Sequence, residues 1–196
     1  RGLEDQQLLA TAELAARNPA AIIFSGGPKS VRIDDAPVID PAVYDLGVPI
    51  LGICYGQQLI AQQLGGEVGG GGAGEYGRTI VHRIDGTDSS LLTDDLPHDQ
   101  TVWMSHFDAV LRPPDGFVAT AGSEGAPCAV IESPERRIWA VQYHPEVAHT
   151  PHGQELITRF LHELAGLPGS WTMESFIESS VEAIRAQVGD GRAICG

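Results

Sequence analysis

The chain has 196 residues, 42% of them hydrophobic and 19% charged, which suits one folded domain with a core and hardly allows two. Twenty-six acidic against twelve basic side chains leave a net charge of −14 with one lysine, Lys29, and a field of that sign repels phosphate backbones, so no nucleic-acid partner is expected. No apolar run approaches the roughly 18 residues of a membrane helix, and the first residues lack the apolar core of an export signal. Cys54, Cys128 and Cys195 are widely spaced and odd in number, neither a disulfide framework nor a zinc pattern, so the expected setting is cytoplasmic, with no membrane and no metal.

Residues 4–18 carry alanine and leucine at helical spacing and stop at Asn18-Pro19, because the residue before proline avoids the helical region. Residues 20–24 predict a buried strand that breaks at Ser25-Gly26-Gly27-Pro28, residues 48–53 a second, and residues 57–64 a helix closed by Gly65-Gly66. Continuous apolar strands bounded by helices imply parallel strands covered on both faces. The run from Gly69 to Gly74 has neither the spacing nor the lysine of a phosphate loop and is expected to be a mobile surface loop. Short β-like runs follow at 79–84, 101–104, 117–121, 128–131 and 138–143, with Ser133-Pro134-Glu135 predicting a hairpin between the last two. Leu156, Ile157, Phe160, Leu161 and Leu164 line one face of a helix closed by Gly166-Leu167-Pro168. Residues 171–188 predict another amphipathic helix, and Arg192-Ala193-Ile194-Cys195 the beginning of a strand. The order is α/β, then β-rich, then helical, without an internal repeat.

The chemistry concentrates at Gly52-Ile53-Cys54-Tyr55-Gly56, where a cysteine stands between two glycines as a strand gives way to a helix. This is the pattern of a nucleophile elbow, whose tight turn strains the central residue and whose glycines leave room for backbone and substrate. A helix N-terminus also stabilises a thiolate. Cys128 and Cys195 lie inside apolar runs, the usual setting of a buried structural cysteine. A thiolate nucleophile needs a base and a group to orient it. His144 in Gln142-Tyr143-His144-Pro145-Glu146 follows an apolar strand, and His144 and Glu146 at i and i+2 can face one side of an extended segment. His106 in Ser105-His106-Phe107-Asp108 is the competing base, while His82, His98 and His162 are expected at the surface. Ser25-Gly26-Gly27-Pro28-Lys29-Ser30 has the look of a phosphate loop, but residues 31–37 lack helical periodicity and bring two carboxylates.

These motifs resemble those of the class I (triad) glutamine amidotransferases, and among them the GMP synthase branch. The residues that carry the resemblance are Ser25-Gly26-Gly27-Pro28, Gly52 to Gln58, Glu75-Tyr76-Gly77, Trp103-Met104-Ser105-His106 with Asp108, and Gln142 to Val147 followed by His149-Thr150 and Gly153. It implies an α/β fold with a flavodoxin-like sheet, helices on both faces and a smaller antiparallel β region. It also implies two parts: a glutamine amidotransferase domain over 1–168 lacking its usual first strand, and over 169–196 the start of an ATP pyrophosphatase (synthetase) domain, cut before its phosphate loop. Two positions depart from the pattern: the Gly69–Gly74 run replaces a more varied segment, and Phe107 stands where glycine is usual.

By the same resemblance Cys54, His144 and Glu146 form the catalytic triad, the Gly27 and Tyr55 backbone N–H groups the oxyanion hole, and Gln58, Ser105, His106 and Phe107 the surroundings of the substrate glutamine. The implied activity is glutamine hydrolysis to glutamate and ammonia, with no cofactor in this domain. The implied partner is the synthetase domain of a longer chain, which with ATP and Mg2+ aminates XMP to GMP in purine biosynthesis, as a homodimer. The rivals are a triad amidotransferase of CTP, anthranilate or carbamoyl phosphate synthesis, a non-catalytic regulatory module of the same fold, and a cysteine peptidase or esterase sharing the elbow.

Overall fold

The computed structural model describes residues 11–87, 90–169, 173–189 and 191–192. The chain divides into two compact units, residues 1–166 and 167–196. In chain order the first contains α1 (Thr11–Ala16), β1 (Ile22–Phe24), a 3-10 turn at Pro41–Asp45, β2 (Ile50–Ile53), α2 (Tyr55–Gln63), β3 (Glu67–Arg83) and β4 (Asp99–Arg112). Then come β5 (Val118–Gly122), β6 (Val130–Ser133), β7 (Ile138–Val141) and α3 (Gly153–Arg159), which runs into a π-helical turn at Phe160–Leu164. The second unit contributes α4 (Met173–Val188).

The seven strands among the described residues join one sheet in the order β1-β2-β7-β6-β5-β3-β4. The neighbours β1, β2 and β7 are parallel, and every pairing from β7 outward to β4 is antiparallel. The antiparallel region is therefore continuous with the parallel strands. The predicted hairpin is there: Ser133 pairs with Ile138 across Pro134–Arg136, and Arg137 at φ 58 closes the turn. The apolar, non-alternating runs of β2 and β7 are explained by cover on both faces. Leu51, Ile53, Trp139 and Val141 face one core with Leu156 and Phe160, while Ile50, Ile138 and Ala140 face the other with Val43, Ile60 and Ala61.

The first predicted helix is described only over Thr11–Ala16, and it ends as expected, with Asn18 at φ 47 donating its N–H to the Ala15 carbonyl at 3.0 Å. The strand predicted at 192–195 and Cys195 itself lie outside the described residues. The Gly69–Gly74 run is not a separate surface loop: it lies within β3, where Gly69 and Gly70 pair with Ala109 and Asp108 of β4 and the register then shifts between Gly70 and Glu75. Glycine-rich composition pointed to a linker, but backbone pairing with a long partner strand needs no side chains, and it holds the first two glycines. Gly72 at φ 71 and Gly74 at φ 73 form the irregular segment, and a Cβ on Gly74 would lie 2.7 Å from the His106 carbonyl oxygen.

A similar constraint sets the entry into α3. A Cβ on Gly153 would lie 1.9 Å from the Pro145 carbonyl oxygen, a backbone atom that cannot move aside. Gly153→Ala is therefore expected to cost about 3 kcal/mol of stability, the upper range for overpacking. Gly47→Ala would meet nothing within 4 Å and bears only the strain of φ 67, about 1 kcal/mol. Urea unfolding of both variants checks this, and equal losses would contradict the steric account.

Candidate active site

Cys54 stands between β2 and α2 at φ 52 and ψ −104, a strained conformation for a residue with a side chain. Its neighbours have to be small. A Cβ on Gly56 would lie 2.3 Å from the Phe24 carbonyl oxygen of β1, and one on Gly52 would lie 2.6 Å from Ile60 Cδ1. The turn is pinned by the Cys54 N–H donating to the Val141 carbonyl at 2.8 Å and by the Gln57 and Gln58 N–H groups donating to the Cys54 carbonyl at 3.1 and 3.2 Å. The cysteine thus sits at the carboxyl ends of the parallel strands, where α/β sheets expose functional groups.

β7 delivers the histidine to the same place. His144 N–H donates to the Trp103 carbonyl at 3.0 Å, and Thr150 Oγ1 donates to the His144 carbonyl at 2.6 Å while accepting the Trp103 N–H at 3.0 Å. The ring packs against Gly26, where a Cβ would come within 2.9 Å of Cε1. Its Nδ1 meets Glu146 Oε1 at 2.7 Å, and the ring stands beside Cys54, since the same Cβ on Gly26 would lie 3.7 Å from Cys54 Cβ. Interaction with the Cys54 side chain, with Glu146 adding to it against partial burial, pushes the His144 pKa up to about 9.

The competing base is otherwise occupied. His106 is buried, with Nδ1 at 3.1 Å from the Asp108 carbonyl oxygen and Nε2 at 3.0 Å from Glu75 Oε2, so both ring nitrogens have partners. Glu75 is itself held by Ser123 Oγ at 2.7 Å and the Gly125 N–H at 3.2 Å. Cys128 is buried, and burial pushes its thiol pKa up, which disfavours the thiolate. His82, His98 and His162 are exposed. Among the described residues no group of three His, Cys, Asp or Glu side chains is arranged to hold a metal ion.

Beside Cys54 a cavity of about 330 Å³ is lined by Tyr55, Gln58, Ser105, His106 and Phe107, together with Lys29 and Ser30. The backbone N–H groups of Gly27 and Tyr55 have no hydrogen-bond partner among the described residues. Gln58 Nε2 donates to the Asp108 carbonyl at 2.6 Å and to Gln142 Oε1 at 3.1 Å, which leaves Gln58 Oε1 as an acceptor. Phe107 lines the cavity while 56% exposed, and its ring lies near Gly70.

Three contributors stand within the motifs read from the sequence but were given no role there. Gln142 is fully buried and points Nε2 at Cys54 Sγ, 3.7 Å away; its position two residues before His144 on an extended segment was the available signal. The buried Asp108 carboxylate accepts Ser30 Oγ and Arg32 Nη1, the latter at 3.2 Å, and so ties the loop bearing Gly27 to β4. Thr150 joins β4 to the His144 backbone. The roles of the last two could not be read locally, because Asp108 meets Ser30 and Arg32, and Thr150 meets Trp103, across long stretches of sequence.

A cysteine elbow, an imidazole and a carboxylate at the ends of parallel strands are what a triad amidotransferase requires, and the chain belongs to the class-I glutamine amidotransferase family, whose model matches residues 4–164. It is 54% identical over 184 residues to the glutamine-hydrolysing GMP synthases of Mycobacterium tuberculosis and Nocardia farcinica. The aligned region is 94% of this chain but 34% of theirs, so the chain spans about a third of the length of these curated relatives. A crystallised Thermoplasma acidophilum protein, described as one component of a candidate GMP synthase, matches with a TM-score of 0.67 and 29% identity over 89% of this chain and 81% of its own. A Thermotoga maritima glutamine amidotransferase shares the fold at a TM-score of 0.52 and 19% identity, covering 86% of this chain and 66% of its own.

The His144 environment makes a measurable prediction. Because its folded pKa of about 9 lies above the ordinary 6.5, the stabilisation from its charged form is full below pH 6.5 and lost as pH rises through about 9. In an NMR titration Cys54→Ala should lower this pKa most and Glu146→Gln less. The reverse order would show that the carboxylate, not the thiol, governs the ring.

Proposed function

We propose that the chain hydrolyses glutamine to glutamate and ammonia through a thioester on Cys54. The observation that carries this reading is the convergence of Cys54, His144 and Glu146 beside the unpaired Gly27 and Tyr55 N–H groups. The Cys54 thiolate adds to the side-chain amide carbon of glutamine, and the carbonyl oxygen takes up the negative charge. Gly27 and Tyr55 donate to that oxygen, each worth on the order of 3 kcal/mol if aimed well. His144, protonated at neutral pH, gives its proton to the nitrogen as the C–N bond breaks and ammonia leaves. The neutral ring then takes a proton from water, which adds to the thioester; breakdown of that adduct releases glutamate and restores the thiolate and imidazolium pair. Glu146 holds the ring orientation and favours its charged form.

Two features support a destination for the ammonia. The curated relatives are named as glutamine-hydrolysing GMP synthases, and α4 presents the exposed apolar residues Ile177, Val181 and Ile184. We infer that the ammonia passes to an ATP pyrophosphatase domain of a longer, homodimeric chain, which uses ATP and Mg2+ to convert XMP to GMP in the cytoplasm. Among the described residues no helix is long and apolar enough to cross a membrane.

Glutamate release tests the first half. Cys54→Ala should abolish it, and His144→Ala should lower it by about 10³-fold, within the usual range for a general acid–base. Glu146→Ala should cost less, and the rate should decline above about pH 9 as His144 loses its proton. Substantial activity in Cys54→Ala would overturn the assignment. For the second half, release by a full-length chain with XMP and MgATP should exceed that of the 196-residue chain by roughly 5- to 150-fold. Equal rates would show the halves to be uncoupled.

A further inference from the structure

The cavity at Cys54 must hold more than an amide, because free glutamine carries an ammonium and a carboxylate at its other end. Of the basic side chains around it, His144 belongs to the triad and two others are already engaged. Arg32 Nη1 pairs with Asp108 Oδ1 at 3.2 Å, and both His106 ring nitrogens have partners within 3.1 Å. Lys29 is different. It is the sole lysine in a chain of net charge −14, it lines the cavity, and its one hydrogen bond among the described residues is a 3.3 Å contact to the Asp35 carbonyl oxygen. An ammonium with only a neutral acceptor keeps its charge uncompensated, and a surrounding negative field makes such a cation the favourable place for a carboxylate.

We propose that Lys29 receives the α-carboxylate of the substrate and so selects a free amino acid over a glutamine side chain within a peptide. The proposal rests on the glutamine reading above and deepens it. Lys29 sits two residues from Gly27 on the same loop, so the group that would hold one end of the substrate and the N–H that would meet its reacting carbonyl are placed by one segment. Asp108, through Ser30 and Arg32, holds that segment against β4. Lys29 is a determinant of specificity and takes no part in bond making.

The test measures the rate at which Cys54 is alkylated by a chloroketone built on the glutamine skeleton. One form keeps its α-carboxylate and the other has it masked as a primary amide. The unaltered chain should prefer the carboxylate form by roughly fivefold, the upper end for a solvent-accessible ion pair. Lys29→Gln should erase that preference, Lys29→Arg should retain it, and iodoacetamide should alkylate all three proteins at similar rates. A preference that survives in Lys29→Gln, or an equal slowing with every reagent, would overturn the proposal. If the unaltered chain reacts with neither chloroketone faster than with iodoacetamide, the glutamine reading itself falls and the Lys29 assignment falls with it.

Discussion

The hydrogen bond from the Cys54 N–H to the Val141 carbonyl, 2.8 Å long, is where the sheet becomes a site. It is the last rung of the parallel pairing between β2 and β7, in which Ile53 stands beside Val141. Parallel neighbours end on the same side of a sheet, so this rung brings the end of the cysteine strand beside the end of the histidine strand. The strained backbone of Cys54 is tolerated because that rung, the two bonds to its own carbonyl and the close approach of Gly56 to β1 determine it several times over.

A second set of contacts fixes the opposite wall. β4 presents Ser105, whose carbonyl faces Cys54 Sγ at 3.7 Å, then His106 and Asp108, which anchor to β3 and to the 26–32 loop. The buried histidine and the buried aspartate act as fasteners. Each satisfies a polar group that would otherwise be costly to bury, and each joins segments that share no sequence neighbourhood. Removing either would leave its partners unpaired as well as freeing a loop, so their variants report on architecture as much as on chemistry.

What could be read from the sequence was local. The elbow showed itself because the glycines flanking Cys54 are demanded by backbone contacts, and the His144–Glu146 pair because i and i+2 share a side of an extended segment. The covered strands showed themselves as unbroken apolar runs. The extent of β4 did not, because only four of its fourteen residues, 101–104, read as a strand; in the rest the apolar Ala109 and Val110 enter the cores beside the buried polar His106 and Asp108, a mixture that pairing with β3 holds extended. The sequence favoured His144 over His106 on its place after an apolar strand and its i and i+2 carboxylate; what it did not show is that Glu75 and the Asp108 carbonyl occupy both ring nitrogens of His106, because only the fold brings those groups there.

The glycine stretch in β3 has the least varied composition in the chain, yet its members are under very different restraint. Gly74 is fixed twice, by φ 73 and by the nearby His106 carbonyl, whereas Gly70 would meet only ordinary van der Waals contact with Phe107 at 3.6 Å. At Gly69 the obstacle is the tip of Leu111, which can swing away. A uniform string of letters therefore hides graded restraint: Gly74 is held by conformation and by contact, Gly72 by its φ of 71 alone, and Gly69 and Gly70 by neither backbone strain nor an immovable neighbour, so drift through this stretch should spare the glycine at 74 longest.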